Sequence, residues 1–189
     1  MKNTIKSLSA ALFVFTVAPS LIFLSAHSNT ASANEAHQES LPEDLHPAVK
    51  ENVEILKQRA AEKGILIRIT DGFRSFEEQN ALYDQGRSKP GNIVTYAKGG
   101  ESYHNYGLAV DYALELRNGE VIWDVEYDGN GNSKSDWFEV AAIAKELGFT
   151  WGGDWEGFVD YPHLQMDYGL SIENLQNGYY PSPNPYFNF

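Results

Sequence analysis

Two histidines and two aspartates have the types and the spacing of a metal-dependent hydrolytic site. His104 and Asp111 lie seven residues apart, and His163 follows Asp160 by three residues. Two histidines and one carboxylate that leave a fourth position open are the ligands of a catalytic zinc site. We therefore predict that His104, Asp111 and His163 bind one zinc ion, although the pattern also fits other metals. Asp160 would remain as the general base that takes a proton from water.

The sequence around His104 and Asp111 decides whether the two side chains can meet. Their odd separation would place them on opposite faces of one straight strand, so the chain must bend between them, and Gly107 permits such a bend. Asp111 stands between Val110 and Tyr112, where an unpaired carboxylate would be costly and a metal ion would satisfy it. Taken singly, each histidine also fits a hydrogen-bonded structural role, and Asp111 also fits an acid at a strand edge.

The composition excludes several other classes of site. The 189-residue chain has no cysteine, which rules out disulfides, cysteine-ligated zinc, iron–sulfur clusters and a thiol nucleophile. Its net charge of −12 argues against nucleic acid as a partner. The sequence contains no G-x-S-x-G element, which disfavours a serine hydrolase. Of the five histidines, His27, His37 and His46 lie in or beside polar N-terminal segments, which leaves His104 and His163 for the folded domain.

The first 33 residues have the layout of a secretory signal peptide. Lys2 and Lys6 form a positive start, Leu8 to Ala26 is almost wholly apolar or small, and Ala31-Ser32-Ala33 fits a cleavage site. An uncleaved membrane anchor is the alternative, and both interpretations place residues 34–189 outside the cytoplasm. After cleavage, 12 basic residues would face 26 acidic ones, a net charge of −14. We expect a signal peptide at 1–33, a flexible lead-in at 34–45, a catalytic domain at 46–178 and an irregular tail at 179–189.

Hydrophobic patterning predicts an α+β domain in which helices cover a small antiparallel sheet. Pro47 opens a helix that Gly64 ends, and Ser75 with Glu78 forms a capping box before a helix at about 76–85. Residues 86–102 form a long glycine-rich loop of the kind that is often functional. A third helix is predicted at 136–147, with Asp136 and Glu139 as another capping box, and a fourth helix is predicted to start at Ser171. Strands are predicted at 65–70, 106–114, 120–123 and 162–166.

Two motifs surround the candidate ligands, namely Ser102-x-His104-x-x-Gly107-x-Ala109-x-Asp111 and Asp160-x-Pro162-His163. From about Leu41 to Tyr168 the chain resembles peptidase family M15, the VanY-like zinc D-Ala-D-Ala carboxypeptidases and endopeptidases. The resemblance implies a hedgehog/DD-peptidase-like fold with zinc at the sheet. It also implies that the two histidines and Asp111 bind the zinc and that Asp160 is the base. Gly72-Phe73-Arg74-Ser75 resembles a further family element, which implies that Arg74 stabilises the oxyanion.

Further segments favour one branch of the family. They are Ala81-Leu82-Tyr83, Gly86-Arg87, Gly91-Asn92-Ile93-Val94-Thr95, Gly99-Gly100 and Trp151-Gly152-Gly153-Asp154-Trp155. These segments resemble the L-alanyl-D-glutamate endopeptidases, which cut the peptide stem of peptidoglycan between L-Ala and D-Glu. The resemblance therefore implies a secreted zinc peptidase whose partner is the stem peptide. Candidates for binding that peptide are Ser102, Tyr106, Arg87 and Trp155.

Several alternatives remain open at this point. The chain also fits a D-alanyl-D-alanine carboxypeptidase of the same family, or a domain that binds wall peptides without cutting them. Tyr106, Arg87 and Trp155 can equally be core or rim residues. We expect a monomer without stable membrane association once the signal peptide is removed.

Residues 128–139 nearly fit the calcium-binding loop D-x-[DN]-x-[DN]-G-x5-E. Positions one, three, five, nine and twelve are Asp128, Asn130, Asn132, Asp136 and Glu139. Position six is Ser133 rather than the glycine that makes the sharp turn. The alternative is a turn rich in glycine and asparagine that leads into the helix starting at Asp136, so the sequence leaves calcium open beside zinc.

Overall fold

Residues 41–182 are described by the computed structural model, and they fold into four α-helices around a five-stranded antiparallel sheet. This architecture confirms the predicted α+β class. The helices are α1 (Pro47–Glu62), α2 (Phe76–Asp84), α3 (Asp136–Glu146) and α4 (Ile172–Gln176). The strands are β1 (Ile67–Asp71), β2 (Ala109–Glu115), β3 (Val121–Ile122), β4 (Thr150–Trp151) and β5 (His163–Gln165).

The predicted signal peptide lies outside the described residues, and so do His27, His37 and most of the predicted lead-in and tail. The domain boundaries that depend on these segments stay predictions. Within residues 41–182, no helix is long and apolar enough to cross a bilayer.

Strand β2 lies inside the sheet and aligns two of the candidate ligands. Neighbouring strands follow the order β1-β2-β5-β4, and β3 pairs with the end of β2. In this register Asp111 on β2 stands opposite His163 on β5 and opposite Asp71 on β1. Directly opposite residues project from the same face of a sheet, so the Asp111 and His163 side chains are neighbours.

A left-handed glycine turns the chain between His104 and Asp111, as their odd spacing requires. His104 lies in a short 3-10 helix, Tyr103–Tyr106, and Gly107 ends that helix with a φ of 65°. A Cβ atom on Gly107 would overlap a backbone carbonyl oxygen, so this position excludes any side chain. The strand predicted from residue 106 therefore begins only at Ala109.

The start signals predicted for three helices are confirmed. Pro47 lies in the first turn of α1. Ser75 and Glu78 form the capping box of α2, in which the Glu78 N–H donates to the Ser75 hydroxyl and the Glu78 carboxylate accepts the Ser75 N–H. Ser171 is the N-cap of α4, where its hydroxyl accepts the N–H of Asn174.

The capping box predicted for Asp136 and Glu139 is wrong. Ser135 occupies the N-cap position of α3, and Asp136 is the first helical residue. The Asp136 carboxylate accepts the N–H of Gly129, and the Glu139 carboxylate accepts an amide N–H of Asn130. Both acids therefore turn towards the loop that precedes α3.

The other strands differ from the prediction at their ends. Strands β3 and β5 are one residue shorter at each end than the predicted segments, and β1 begins at Ile67 rather than Ile65. Strand β4 was not predicted, because two residues are too few to show an alternating pattern.

The expectation that the fold contains only two histidines is also wrong. His46 is buried, with 2% of its surface exposed. Its Nδ1 accepts the N–H of Ala48 at the start of α1, and its Nε2 donates to the carbonyl oxygen of Ser182. Its ring centroid lies 5.4 Å from that of Tyr168. The polar segment before His46 gave no sign of the C-terminal residues that bury it.

The main core lies between the sheet and helices α1 and α3. The apolar face predicted for α1 is buried there and comprises Val49, Val53, Leu56 and Ala60. It belongs to one cluster with Tyr112 of β2, Trp137 of α3 and Leu164 of β5. A second, smaller cluster includes Tyr106 and Leu175, and it attaches α4 to the segment that carries His104.

Candidate metal centre

Three side chains bring one ligand atom each to a common point. Nε2 of His104 lies 3.3 Å from Nδ1 of His163, and each nitrogen lies 3.4 Å from Oδ1 of Asp111. Both histidines are buried, and Asp111 is partly exposed. The structure therefore brings the three predicted ligands together into a group that can hold a metal ion.

The hydrogen bonds of the two imidazoles fix which nitrogens carry protons. His104 Nδ1 donates to the carbonyl oxygen of Gly72 at 2.7 Å, so its Nε2 carries a lone pair. His163 Nε2 lies 3.0 Å from Oε1 of Gln165, whose own Nε2 donates to the carboxylate of Asp167 at 3.4 Å. Because a carboxylate only accepts, the Gln165 amide is oriented with its oxygen towards His163. The proton of His163 is therefore on Nε2, and Nδ1 carries a lone pair.

Asp111 supplies the negative charge of this group. Its Oδ1 is buried and has no hydrogen-bond donor within residues 41–182. Burial raises the pKa of Asp111, but the adjacent imidazoles of His104 and His163 outweigh burial and hold the pKa well below its ordinary value. Two lone pairs and an ionised oxygen that face one another need a cation between them. The residues present therefore fit a metal ion.

Asp160 lies beside the three ligands. Its carbonyl oxygen accepts the N–H of His163 at 3.3 Å, and its own N–H donates to Gly152 at 3.0 Å. A Cβ atom on Gly152 would lie 2.5 Å from the carbonyl oxygen of Asp160, so only glycine permits this close approach. Burial, followed by the negative charge of Asp111, raises the pKa of Asp160. A carboxyl group with a raised pKa next to a metal site is suited to proton transfer.

Arg74 is held in place by three interactions. One guanidinium nitrogen donates to Asp71 at 2.5 Å and another to the buried side chain of Gln79 at 2.7 Å. Its backbone N–H donates to the carbonyl oxygen of His104 at 3.1 Å. The positive charge of Arg74 acts on the carboxyl group of Asp160 and lowers the pKa of Asp160 in part. The guanidinium is therefore held in a fixed orientation by Asp71 and Gln79.

A cleft of about 500 Å³ lies beside Arg74. Asp71, Phe73 and Arg74 line one part of it, and Leu82 of α2 and Lys89 of the following loop line another. Asp71 stands opposite Asp111 in the sheet, but none of the three candidate ligands lines the cleft. An extended peptide lying in this cleft would pass the guanidinium of Arg74.

The four residues that were predicted to bind the peptide lie in different environments. Trp155 is half-buried, and its ring centroid lies 5.0 Å from that of His163, so it borders the centre. Ser102 is half-buried at the N-cap position before the helix of His104. Tyr106 is a core residue, which is the alternative that the sequence left open.

The side chain of Arg87 is engaged in contacts within the protein. Its guanidinium donates to the carbonyl oxygens of Tyr83 at 2.5 Å and Thr95 at 3.0 Å, and it stacks 3.9 Å from the Tyr83 ring centroid. These bonds tie the long loop to α2. A contact between Arg87 and substrate stays a prediction.

Sequence reasoning missed the residues that orient the functional side chains. Gln165 holds His163, while Asp71 and Gln79 hold Arg74. Only closeness in sequence could have indicated these partners. Gln165 is two residues from His163, and Asp71 is three residues from Arg74. Gln79 shows no such signal, since its contact depends on how α2 packs.

The sequence is similar to those of known peptidases. The family model described as D-alanyl-D-alanine carboxypeptidase, of the M15 peptidases, matches residues 95–166. This match includes Asp160 and all three candidate ligands, whereas Arg74 lies before it.

Two relatives and one solved structure are similar to this chain. Peptidoglycan L-alanyl-D-glutamate endopeptidase CwlK of Bacillus subtilis (strain 168) is 64% identical over 135 residues, which cover 71% of this chain and 81% of that protein. The L-alanyl-D-glutamate peptidase of Listeria phage A118 is 36% identical over 116 residues, or 61% of this chain and 36% of that protein. The crystal structure of the Serratia marcescens L-Ala D-Glu endopeptidase ChiX is 25% identical, with a TM-score of 0.47, and the match covers 67% of this chain and 85% of that one.

Proposed function

The chain belongs to the M15 peptidase family, and from that premise we propose that it is a secreted zinc endopeptidase that hydrolyses the L-Ala–D-Glu bond of peptidoglycan stem peptides. The observation that carries this proposal is the triangle of ligand atoms formed by His104, Asp111 and His163. The choice of bond is supported by the 64% identity to an enzyme whose name states that bond.

The geometry of the ligand triangle supports zinc. Ligand atoms about 2.0–2.1 Å from a tetrahedral zinc ion lie about 3.3–3.4 Å from one another. The three separations between the ligand atoms are 3.3, 3.4 and 3.4 Å. Two imidazole nitrogens and one carboxylate oxygen also suit zinc better than calcium or magnesium, which prefer oxygen ligands.

The mechanism assigns one task to each fixed side chain. His104, Asp111 and His163 would hold the zinc ion, which would supply Lewis acidity for the scissile carbonyl group and for water. Asp160 accepts the proton from the attacking water and returns a proton to the leaving amine. The raised pKa of Asp160, caused first by burial and then by Asp111, suits both steps. Arg74 neutralises the negative charge that develops on the carbonyl oxygen of the substrate.

Substitution of Asp160 tests this assignment of roles. In Asp160→Ala, the zinc content is expected to stay at one per chain, because Asp160 is not a ligand, while cleavage of muropeptides is lost. Asp111→Ala is the matched control and should lose both zinc and activity. An Asp160→Ala protein that cleaves at the normal rate would remove Asp160 as the general base.

A second candidate activity is D-alanyl-D-alanine carboxypeptidase, which the description of the matching family model favours. The two activities leave different products from the same pentapeptide stem. An endopeptidase creates a new N-terminal D-Glu, and a carboxypeptidase releases a single D-Ala. Mass spectrometry of the digest therefore distinguishes them.

Export is the third part of the proposal, and it is supported by the leader-like segment at residues 1–33. Sequencing the N-terminus of protein recovered from culture medium or cell wall tests it. A start near Asn34 is expected if the leader is cleaved. Recovery of the intact chain from the membrane fraction would instead support an anchor.

A further inference from the structure

The loop before α3 gathers five oxygen-bearing side chains at the spacing of a calcium-binding loop. They are Asp128, Asn130, Asn132, Asp136 and Glu139. We propose that this loop, residues 128–139, binds one calcium ion at a site separate from the candidate zinc centre. The proposal concerns stability and does not depend on the peptidase activity.

A buried carboxylate without a partner is the observation that points to a cation. Asp136 is only 3% exposed, and its Oδ1 has no hydrogen-bond partner within residues 41–182. Its Oδ2 accepts the N–H of Gly129 at 3.0 Å, so the carboxylate faces the loop. A buried carboxylate oxygen without a donor or cation is costly.

The loop adds two further carboxylates close to Asp136. Burial raises the pKa of Asp136, the backbone N–H groups of Gly129 and Asn130 lower it in part, and the negative charges of Asp128 and Glu139 raise it further. Lys63 is the cation paired with this cluster in the described part of the chain, and its Nζ lies 3.4 Å from Glu139. One exposed ammonium group leaves most of the negative charge of three carboxylates uncompensated.

The backbone already has the turn that the missing glycine would provide. Ser133 adopts a φ of 66°, in the left-handed region, and its N–H donates to Oδ2 of Asp128 at 2.9 Å. The N–H groups of Gly131 and Asn132 donate to Oδ1 of Asp128 at 2.8 and 3.0 Å. Serine at position six therefore strains the turn, at a cost of about 1–2 kcal/mol for the left-handed conformation, and does not prevent it.

The side-chain amides of Asn130 and Asn132 connect the loop to Glu139. Their Nδ2 groups donate to Oε2 of Glu139, at 2.9 Å from Asn130 and 2.7 Å from Asn132. Their Oδ1 atoms accept the backbone N–H groups of Asn132 and Lys134 at 3.1 and 2.9 Å, so positions three, five and twelve are tied into one hydrogen-bonded loop. Three carboxylates and two amide oxygens form a set of hard oxygen ligands, which suits calcium with its flexible coordination better than magnesium, which requires near-octahedral geometry.

The position of the loop indicates what the ion would stabilise. Asp136 starts α3, and the next residue, Trp137, is fully buried. The Tyr112 hydroxyl donates to the carbonyl oxygen of Trp137 at 3.1 Å, and the two rings lie 4.8 Å apart between centroids. Tyr112 follows Asp111 on β2, so a calcium ion at the loop would stabilise the helix that packs against the strand of the zinc ligand.

A calcium titration of the purified, zinc-loaded protein tests the proposal. We expect one calcium ion per chain with a Kd of about 10⁻⁴–10⁻³ M, as in extracellular calcium modules. At about 5 mM calcium, the melting temperature should rise by about 2–8 °C. The zinc content should stay at one per chain throughout.

Three variants test whether calcium binds at residues 128–139. Glu139→Gln should weaken calcium binding at least tenfold and leave the far-UV circular dichroism unchanged. Ser133→Gly should tighten binding, because glycine adopts the left-handed turn without strain. Glu126→Gln, an exposed acid just before the loop, is the matched control and should bind like the unmodified protein.

The remaining outcomes would overturn the proposal. Absence of calcium uptake and of a thermal shift would do so directly. Calcium affinity that is the same in Glu139→Gln as in the unmodified protein would place the ion elsewhere. An equal shift with magnesium would contradict the assignment to calcium. None of these results bears on peptide cleavage, which is measured separately.

Discussion

Removing the oxygen of Gln165 that faces His163 should weaken zinc binding by about 5- to 150-fold. In Gln165→Leu, the Nε2–H of His163 loses its acceptor at 3.0 Å, in a place where both residues are 7% exposed. The zinc-bound form must keep that proton on Nε2, because Nδ1 faces the metal. An unsatisfied buried donor costs about 1–3 kcal/mol, and 1.4 kcal/mol corresponds to a factor of ten.

The metal-free form of Gln165→Leu escapes this cost. Its imidazole can change tautomer and donate from Nδ1 to Oδ1 of Asp111, 3.4 Å away, which otherwise lacks a donor. The cost of the unpaired buried donor therefore falls on the zinc-bound form. The range agrees with the 10- to 100-fold effects that are common when residues orienting a metal-bound histidine are replaced.

Competition with a chromogenic zinc chelator measures the effect. Gln165→Glu is the matched variant, since its carboxylate can accept the same proton and should preserve or tighten binding. Gln58→Leu, on the exposed face of α1, is the control and should bind like the unmodified protein. Unchanged zinc affinity in Gln165→Leu would refute the assignment of tautomers and of the ligand atom of His163.

Three further predictions concern other parts of the molecule. Arg74→Met should lower kcat by about 10²–10³ with little change in zinc content, because the loss affects charge that develops in the transition state; a large increase in KM at normal kcat would contradict this role. Gly152→Ala should lower the free energy of unfolding by about 1–3 kcal/mol and reduce activity, because its Cβ would overlap the carbonyl oxygen of Asp160; thermal melts and rates check both effects, and a fully stable, active variant would contradict the geometry. Burial lowers the pKa of His46 from 6.5, so the unfolded chain binds the proton more tightly, and stability should fall as the pH drops from about 6.5 to the lowered pKa of the folded protein. His46→Asn, which can still cap α1, should remove that part of the pH dependence in melts at several pH values; an unchanged pH profile would contradict it.

The three candidate ligands were predictable because few residues of this chain have side chains that suit a zinc site. His104, Asp111 and His163 combine the right residue types with a bend signal at Gly107, and the structure brings them together. Their supporting residues were not predictable in the same way. The contact between Gln79 and Arg74 exists only because α2 packs beside the end of β1, and no local pattern records that packing.

Two errors of the sequence analysis have a common physical cause. His46 was placed beside a polar lead-in and left out of the histidines of the fold, and Asp136 with Glu139 was assigned to a capping box. In both cases the side chain forms hydrogen bonds that the local pattern does not indicate. His46 bonds to Ser182, which is distant in sequence, and Asp136 and Glu139 bond to the loop that precedes α3. Local hydrogen-bonding signals for aspartate, asparagine and serine fit both caps and loops, so tertiary contacts decide between them.

Digestion of purified muropeptides with the zinc-loaded protein tests the central claim most directly. Mass spectrometry of the products is expected to show fragments with a new N-terminal D-Glu and a new C-terminal L-Ala. This cleavage should stop when zinc is removed by a chelator and return when zinc is restored. Release of terminal D-Ala alone, or intact muropeptides in the presence of bound zinc, would contradict the account.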